Sequence, residues 1–600
     1  MTDFYLRNSL KMFLKRCFIA VLFNALFLLF NLKLVGAPSL PVEESVLQFS
    51  IIANDYETDL FDYSPELGLF WGKSDVALDR FTDVSLQGYA GWLQQEDDFL
   101  LRLDALNEKE LRDTPQYFTY LLLKETLKAK KASRLCRQEL WDINPVFGWH
   151  NKMAIVAEKQ PVGTPEYRRL ALARWQTFDK VVDRQINNLK SGLTLGYTAP
   201  KPAVKRVLTQ LKIILASPVE ESPYFDFARR DGDEKFKTQV ADLIKTVINP
   251  SIKKYTTYLE SEYISQARNE IGVSALPAGA ECYQAKLKQE TTLDLTPGKI
   301  HLMGLKAMQK LSREVGEIGL RRYGTADMTM TFQRAKNESM NFSTEEDILN
   351  YNVAALERVK AKMNDWFDIM PKTEGTIRAY PPHRAKTGAP GEYHAPNEEG
   401  TEPGVFYINT YEPKKKSRIE QEATLFHELI PGHHFQIALI YENKTLPALN
   451  RYLLNAGFGE GWALYAERLA DEMALYQDEV SRLGMLSNES LRAARLVVDT
   501  GIHAFHWSRA KAVDYLKQHT ALAENIIEGE VDRYIMMPGQ ATAYMVGRDE
   551  IQQLRQLAKD KQGMRFDIRE FHNQVLKNGV VSLSILKAQI ENWLGQQTIT

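Results

Sequence analysis

The sequence predicts a mainly α-helical protein. Long segments carry apolar residues at three- and four-residue spacing, the period of a helix that buries one face. Runs in which apolar and polar residues alternate are scarce, and no repeat of fixed period is evident. A chain of 600 residues, 44% of them hydrophobic, is long enough for two lobes. We expect an N-terminal helical lobe over 42–295 and a second helical lobe over 296–600.

The segments with helical spacing follow one another along the chain. They are Glu108–Ala132, Pro165–Lys190, Pro202–Ala216, Asp233–Ile248, Ile252–Gln266 and Gly298–Leu320. We expect Pro250 to interrupt the helix between the fourth and the fifth, because proline has no N–H and its ring clashes with the preceding turn. Thr296-Pro297 predicts the start of the last segment, since proline is favoured in the first turn of a helix.

The N-terminus has the pattern of a secretory signal. Lys11, Lys15 and Arg16 precede an apolar run from Phe18 to Leu32. The run is shorter than the roughly 20 residues that a comfortable membrane span needs. We predict export, with residues 1–37 acting either as a cleaved signal peptide or as a retained anchor. The protein is then periplasmic or anchored to the outer face of the inner membrane.

Charge and cysteine content limit the classes of partner and fold. The net charge is −2, which does not suggest the basic surface of a nucleic-acid-binding protein. Three cysteines are too few for a disulfide scaffold. Cys17 lies in the N-terminal segment, directly before the apolar run. Cys136 and Cys282 either form one bridge in an oxidising compartment or remain two buried thiols.

A stretch rich in proline and glycine, Tyr380–Gly404, breaks the helical pattern, and we expect an irregular excursion there. The residues that follow, Gly404–Asn409, are a short strand candidate. As an exposed edge strand they would pair with a substrate backbone, which makes Asn409 a candidate substrate-binding residue; a strand without a ligand is the alternative. Ser417 and Glu420 then form a capping-box pattern that predicts the start of the next helix.

That helix leads into His427-Glu428-Leu429-Ile430-Pro431-Gly432-His433-His434, which holds three of the 11 histidines. The usual zinc motif, His-Glu-x-x-His, places two histidines four residues apart on one helix face. Here the fourth position after His427 is proline, so a straight helix is excluded. Treating Pro431-Gly432 as a two-residue insertion that bulges the helix restores the usual spacing between His427 and His433.

His434 competes with His433 for the second ligand position. Seven residues return to nearly the same face of an undistorted helix, but two turns separate His427 from His434 by ~10 Å along the axis. Metal–nitrogen bonds are only ~2.0–2.1 Å long, so one zinc ion reaches both awkwardly. We favour His433 as the ligand and keep His434 as the alternative.

A third ligand candidate lies downstream, in Phe458-Gly459-Glu460-Gly461-Trp462-Ala463. Glu460 follows His433 by 27 residues (460 − 433), enough for one helix to end and a second to return antiparallel to it. Two histidines and a glutamate leave a fourth position for water, which is the catalytic form of a zinc site. The predicted Zn²⁺ ligands are therefore His427, His433 and Glu460, and Glu428 stands where a general base is needed.

These motifs resemble known families. Glu460-Gly461-Trp462-Ala463 is similar to the Glu-Gly-Phe-Ala segment of gluzincin metallopeptidases, in which the glutamate is the third zinc ligand. The residues from His427 to His434, together with Gln436, resemble the signature of the bacterial domain of unknown function 885 family, which is placed with the zinc-peptidase superfamily. The resemblance extends through most of the chain. It implies a gluzincin-like multi-helix fold, with the small edge-strand element beside the active-site helix, and a bound metal, but no particular substrate.

The same resemblance implies residues that stabilise the oxyanion. Helical gluzincins often place a tyrosine or histidine pair after the zinc ligands, which makes Tyr534 and Tyr544 candidates; core packing with a satisfied hydroxyl is the alternative for each. His503 is a further candidate donor, and Arg533 suits a substrate carboxylate. A structural histidine is the alternative for His503.

The sequence therefore predicts an exported zinc-dependent peptidase that hydrolyses short peptides by metal-activated water. Peptides are the expected partners, nucleic acid is not, and a membrane is contacted only through a retained N-terminal segment. A zinc hydrolase of non-peptide amides or esters would use the same residues. A non-catalytic binding protein with a structural metal centre is the third reading, and Glu428 argues against it because such a site needs no acid beside its ligand.

Overall fold

The computed structural model describes residues 44–597, except 74, 341, 381–390, 398–399 and 454. The described chain is mainly helical, as the sequence predicts. The predicted signal peptide or anchor at 1–37 and Cys17 lie outside the described residues. Within the described part of the chain, every helix is too short or too polar to cross a bilayer.

Two hydrophobic cores organise the helices. The smaller core draws on 69–81 and 143–267, and the larger core draws mainly on 49–140 and 271–594. The division therefore differs from the predicted boundary at 295, because the N-terminal helices pack against the C-terminal ones. The smaller core is an insertion between two parts of the larger core.

The helices surround these cores in sequence order. The N-terminal part contains α1 (Glu44–Tyr63), α2 (Pro65–Phe70), α3 (Leu86–Asp104), α4 (Glu108–Leu111) and α5 (Tyr117–Ser133). The insertion contains α6 (Trp149–Lys159), α7 (Pro165–Trp175), α8 (Phe178–Leu195), α9 (Lys201–Ala216), α10 (Asp226–Arg229), α11 (Glu234–Leu243) and α12 (Asn249–Tyr258). The first helices after it are α13 (Gly279–Thr291), α14 (Pro297–Tyr323), α15 (Met328–Glu338) and α16 (Glu345–Lys360).

The remaining helices carry the predicted site. They are α17 (Gln421–Glu428), α18 (His433–Glu442), α19 (Ala456–Glu472), α20 (Glu479–His503), α21 (Arg509–His519), α22 (Glu524–Met536), α23 (Ala543–Gln562), α24 (Ile568–Leu576) and α25 (Leu583–Gln597). Of these, α20 is buried on nearly all sides over its whole length, so it forms the axis of the larger core.

Two local predictions are wrong. Pro250 does not end a helix, because α11 continues through a wider π-helical turn, Ile244–Ile248, which makes room for the proline ring in the first turn of α12. Ser417 does not cap α17, which begins four residues later. Its hydroxyl accepts from the N–H of Ile419, and the Glu420 carboxylate accepts from Ser487.

Cys136 and Cys282 form a disulfide, which decides between the two alternatives left open by the sequence. The bridge connects Cys136, which lies just after α5, with Cys282 in α13. The two cysteines are 146 residues apart in the sequence. Both cysteines are buried in the larger core. The disulfide thus closes the inserted lobe into a loop whose two ends are held together.

A three-stranded sheet lies beside α17. It consists of β1 (Gly375–Ala379), β2 (Gly391–His394) and β3 (Gly404–Ile408), in the order β1-β3-β2. The central strand β3 runs parallel to β1 and antiparallel to β2. The strand predicted at 404–409 therefore exists, but its predicted edge position is wrong, since both of its sides are paired. The excursion predicted to be irregular contains β2, while its residues 381–390 lie outside the described part.

Helices α19 and α23 cross with their backbones in contact. A Cβ on Gly547 would lie 1.7 Å from the carbonyl oxygen of Gly457, and a Cβ on Gly461 would lie 2.6 Å from the backbone of Gly547. Only glycine fits at such a crossing. The crossing brings the turn of α19 that carries Glu460 close to the start of α23, where Tyr544 lies.

We expect Gly547→Ala to lower the free energy of unfolding by about 1–3 kcal/mol or more, because the two helices must move apart. Urea unfolding measures the change. Gly298→Ala is the matched control, since Gly298 lies in the exposed first turn of α14 with open space around its Cβ. An unchanged stability of Gly547→Ala would contradict the close crossing.

Candidate metal centre

The predicted metal motif spans two helices separated by a break. The first, α17, ends at Glu428, and α18 begins at His433; the Ile430–Pro431 peptide between them is cis. A Cβ on Gly432 would lie 1.9 Å from the carbonyl oxygen of His427, so this position admits only glycine. The Trp462 indole N–H donates to the Pro431 carbonyl at 2.8 Å, which attaches the break to α19.

The break brings His427, His433 and Glu460 together, with one potential ligand atom of each lying within 4.8 Å of the others. The Glu460 Oε2 atom is 3.5 Å from Nε2 of His427 and 3.4 Å from Nε2 of His433. Two ligands on a tetrahedral zinc ion with bonds near 2.0–2.1 Å are about 3.3 Å apart, so these separations fit one ion. Nitrogen from imidazole and oxygen from carboxylate are also the donor types that zinc accepts.

Glu467 lies behind the first histidine. Its Oε1 accepts from Nδ1–H of His427 at 2.8 Å, and its side chain is only 1% exposed. Burial alone would lower the pKa of His427, but the carboxylates of Glu460 and Glu467 outweigh burial and raise the pKa to about 9. The bond to Glu467 fixes the histidine tautomer whose Nε2 lone pair faces the cluster.

His434 points away from the cluster. Its Nε2–H donates to the Thr373 carbonyl at 3.0 Å, and its Nδ1 accepts from the Tyr393 hydroxyl at 2.9 Å. The ring is buried against the start of the sheet, where a Cβ on Gly375 or Gly404 would contact it. The structure therefore places His433, and not His434, beside His427 and Glu460.

Glu428 is half-buried and follows the first histidine directly. Its negative charge contributes to the raised pKa of Tyr393, after burial and Tyr441, so the carboxylate lies near β2. Among the described residues, none forms a hydrogen bond or ion pair with its carboxylate. In the described part of the chain, this carboxylate is therefore unpaired, one residue after the first ligand candidate.

Of the two candidate tyrosines, Tyr544 lies near the cluster. Burial, followed by the charge of Glu460, raises its pKa, so its hydroxyl stays protonated at neutral pH. Tyr534 is buried elsewhere: its hydroxyl donates to Glu530 at 2.7 Å and accepts from Arg495 at 3.0 Å. Only Tyr544 is placed to donate to a group held at the cluster.

His503 has a structural environment. Its Nδ1 accepts from the Val273 N–H at 3.0 Å, and its Nε2–H donates to the Tyr534 carbonyl at 2.9 Å. Burial lowers its pKa to about 3, so the ring is neutral. Because its single N–H is engaged by the backbone, His503 has no proton to offer to an oxyanion.

The two predicted substrate-binding residues also have protein partners. Arg533 donates to both carboxylate oxygens of Glu530, at 3.3 and 3.0 Å, and its third nitrogen bonds Gln540. Asn409 is buried just after β3, where its Oδ1 accepts from the Tyr411 N–H at 3.1 Å. Both side chains hold local structure together.

Two elements of the site were not predicted from the sequence. Glu467 follows Glu460 by seven residues, which is two helical turns. This spacing places both glutamates on the same face of α19, so the sequence did contain a signal for Glu467. Arg492 and Arg495 stand about one turn apart in the second half of α20, which is mostly buried. Charged side chains in a helix that is buried all round are a second such signal.

We expect His433→Ala to lose bound zinc, because it removes one of three ligands, and His434→Ala to retain about one zinc per chain. Elemental analysis after dialysis measures the content. His434→Ala serves as the matched control, since it removes the same side chain one residue along. Loss of zinc from His434→Ala alone would overturn the ligand set.

We expect Glu467→Gln to weaken zinc binding by about 10- to 100-fold, the usual effect of losing a carboxylate that orients a ligand. Competition with a chromophoric chelator measures the affinity. Glu472→Gln, at an exposed position on the same helix, is the control and should leave the affinity unchanged. An unchanged affinity in Glu467→Gln would show that this carboxylate does not orient His427.

Comparison with known proteins places the chain in a family. Among the solved structures that are similar to it, two are each described as a "putative lipoprotein". The one from Colwellia psychrerythraea is 25% identical, with a TM-score of 0.84 over 92% of this chain and 100% of that chain. The one from Shewanella oneidensis, of unknown function, is 16% identical, with a TM-score of 0.73 over 90% of this chain and 99% of that one.

No curated protein matches the chain significantly. The family described as "Bacterial protein of unknown function (DUF885)" matches residues 65–590, which include both lobes and the whole cluster. The chain therefore belongs to this DUF885 family of bacterial proteins.

Proposed function

We propose that this protein is an exported zinc-dependent peptidase that hydrolyses short peptides. The observation that carries the proposal is the convergence of His427, His433 and Glu460, with Glu467 behind the first histidine and Glu428 beside it. Three ligands from the protein leave a fourth position for water, which distinguishes a catalytic zinc site from a structural one. A gluzincin-like catalytic lobe over 296–600, implied by the resemblance of the motifs, is part of the same proposal.

Zinc held by these residues would lower the pKa of a water molecule and polarise the scissile carbonyl. Glu428 accepts a proton from the attacking water and returns it to the leaving amine. Glu467 keeps His427 in the tautomer that binds metal through Nε2. Tyr544 donates its hydroxyl proton in a hydrogen bond to the oxyanion that develops on the carbonyl.

Three observations support export. The N-terminal residues have a basic segment followed by an apolar run, which is the pattern of a secretory signal. The Cys136–Cys282 disulfide persists in an oxidising compartment such as the periplasm. The two similar structures are both described as lipoproteins, a class attached to membranes from outside the cytoplasm. We propose that the protein is periplasmic, either free or anchored to the membrane.

A digest of mixed peptides tests the proposal. The zinc-loaded protein should generate peptide fragments that mass spectrometry identifies, and a chelator should stop their formation. Cleavage of small non-peptide amides or esters without any peptide cleavage would replace the peptidase proposal with the amide or ester hydrolase. Zinc binding without turnover of either class would favour a non-catalytic metal centre.

We expect Glu428→Gln to retain zinc and fold but to lose peptide turnover by about 10²–10⁴-fold, because the amide cannot accept the proton of water. Initial rates and zinc content are measured on the same sample. Glu357→Gln, on the exposed face of α16, is the control and should keep both. Activity of Glu428→Gln within a few-fold of the parent would assign the base to another group.

A further inference from the structure

A group of arginines lies next to the candidate metal centre. Arg492 and Arg495 project from neighbouring turns of α20, and the Cζ atoms of their guanidinium groups lie 5.9 and 4.5 Å from the centre of the Tyr544 ring. Arg492 is also close to the cluster itself, since its Nη2 is 3.9 Å from the Glu467 oxygen that holds His427. The candidate metal ligands, Tyr544 and the two arginines therefore form one contiguous group of side chains.

The acids around these arginines are already engaged. Glu530 accepts from Arg495 Nη2 at 2.6 Å and is shared with Arg533 and the Tyr534 hydroxyl. Burial would raise the pKa of Glu530, but Arg495 and Arg533 outweigh it and hold the pKa far below its usual range. The Oε1 atom of Glu467 is bonded to His427, and its Oε2 atom has no hydrogen-bond partner among the described residues. The nearest arginine nitrogen, Nη2 of Arg492, is 3.9 Å from Oε1, which is beyond hydrogen-bond distance.

Two guanidinium nitrogens remain without an acceptor among the described residues. They are Nη1 of Arg495 and Nε of Arg492, and both atoms are buried. Arg495 as a whole is only 6% exposed. A buried cationic N–H without a partner is costly, so its presence calls for an anionic group that occupies the site during function. Arg533, by contrast, has its nitrogens bonded to Glu530 and Gln540.

We propose that Arg492 and Arg495 bind a carboxylate of the peptide substrate, with Tyr544 between them and the scissile bond. A guanidinium group matches the geometry of a carboxylate and keeps its charge when it is buried. The free C-terminus of a short peptide and an acidic side chain both supply this group. This inference rests on the proposed peptidase function and names the substrate class for it.

Binding to the zinc-loaded Glu428→Gln variant tests the inference without turnover. The probes are N-acetyl-Ala-Ala-Phe as the free acid, the same peptide as the C-terminal amide, and N-acetyl-Ala-Ala-Glu amide, each titrated calorimetrically. We expect at least one carboxylate-bearing peptide to bind about 10- to 100-fold more tightly than the neutral amide, as is typical of a hydrogen bond to a charged group. A preference for the free acid identifies the C-terminus, and a preference for the Glu amide identifies a side chain.

A second substitution links the preference to the arginines. Arg492→Gln in the same background should reduce the preference to within about two-fold of none. Arg482→Gln is the matched control, because Arg482 lies on the same helix but pairs with Glu314 and Asp471, and it should keep the preference. The side chain of Arg492 is 13% exposed, so zinc content and thermal unfolding of Arg492→Gln are measured on the same sample to show that the fold is kept.

The outcomes separate this inference from the proposed function. Equal binding of all three peptides, together with peptide cleavage by the parent protein, would overturn the carboxylate site and leave the peptidase proposal standing. Binding of none of them, with no cleavage, would overturn both. A carboxylate preference that survives Arg492→Gln would place the anion elsewhere and would overturn the role of these arginines.

Discussion

The site depends on one steric constraint, the break of the motif helix at Pro431 and Gly432. Proline cannot continue α17, and the absence of a Cβ at Gly432 lets the chain pass against the His427 carbonyl. The restart of α18 directs His433 toward Glu460 and leaves His434 on the sheet, against Thr373. Two adjacent histidines thus serve different parts of the molecule.

Contacts in the rest of the larger core keep Glu460 next to His433. The carboxylate of Glu489 on α20 pairs with Arg468 on α19 at 2.5 Å and with Arg548 on α23 at 2.9 Å, and Arg468 also reaches Glu314 on α14. Buried ion pairs of this kind add little net stability, and we infer that here they help to select how the three helices pack. With the glycine crossing of α19 and α23, they leave Glu460 little freedom to move away from the histidines.

Sequence patterns predicted what local spacing controls. The helical class and the start of α14 after Thr296 follow from residues close together in the chain. The grouping of Glu460 with the two histidines was predicted from the resemblance of the motifs, because 27 residues separate it from His433. The position of β3 inside the sheet does not follow from local spacing, because it depends on pairing with β1 and β2. For the same reason, single segments do not reveal the partners of His503, or the bond from Arg495 to the Tyr534 hydroxyl, because these come from other parts of the chain.

The arginines also show that sequence spacing does not reveal which side chains find partners in the folded protein. Arg533 was chosen from the sequence because a guanidinium group suits a substrate carboxylate, yet its nitrogens are occupied by a glutamate on its own helix and a glutamine seven residues away. Each of Arg492 and Arg495 has an unpaired nitrogen because the helices packed around α20 place no acceptor next to it. Which cation is free to bind a ligand is a property of the folded core, and spacing along one helix does not reveal it.

Anomalous diffraction at the zinc absorption edge, from crystals grown with zinc, tests the central account most directly. The account predicts one peak per chain, ~2.0–2.2 Å from Nε2 of His427, Nε2 of His433 and the Glu460 carboxylate, with His434 still bonded to the Thr373 carbonyl. A peak coordinated by His434, or zinc-treated crystals with no peak at this cluster, would contradict it.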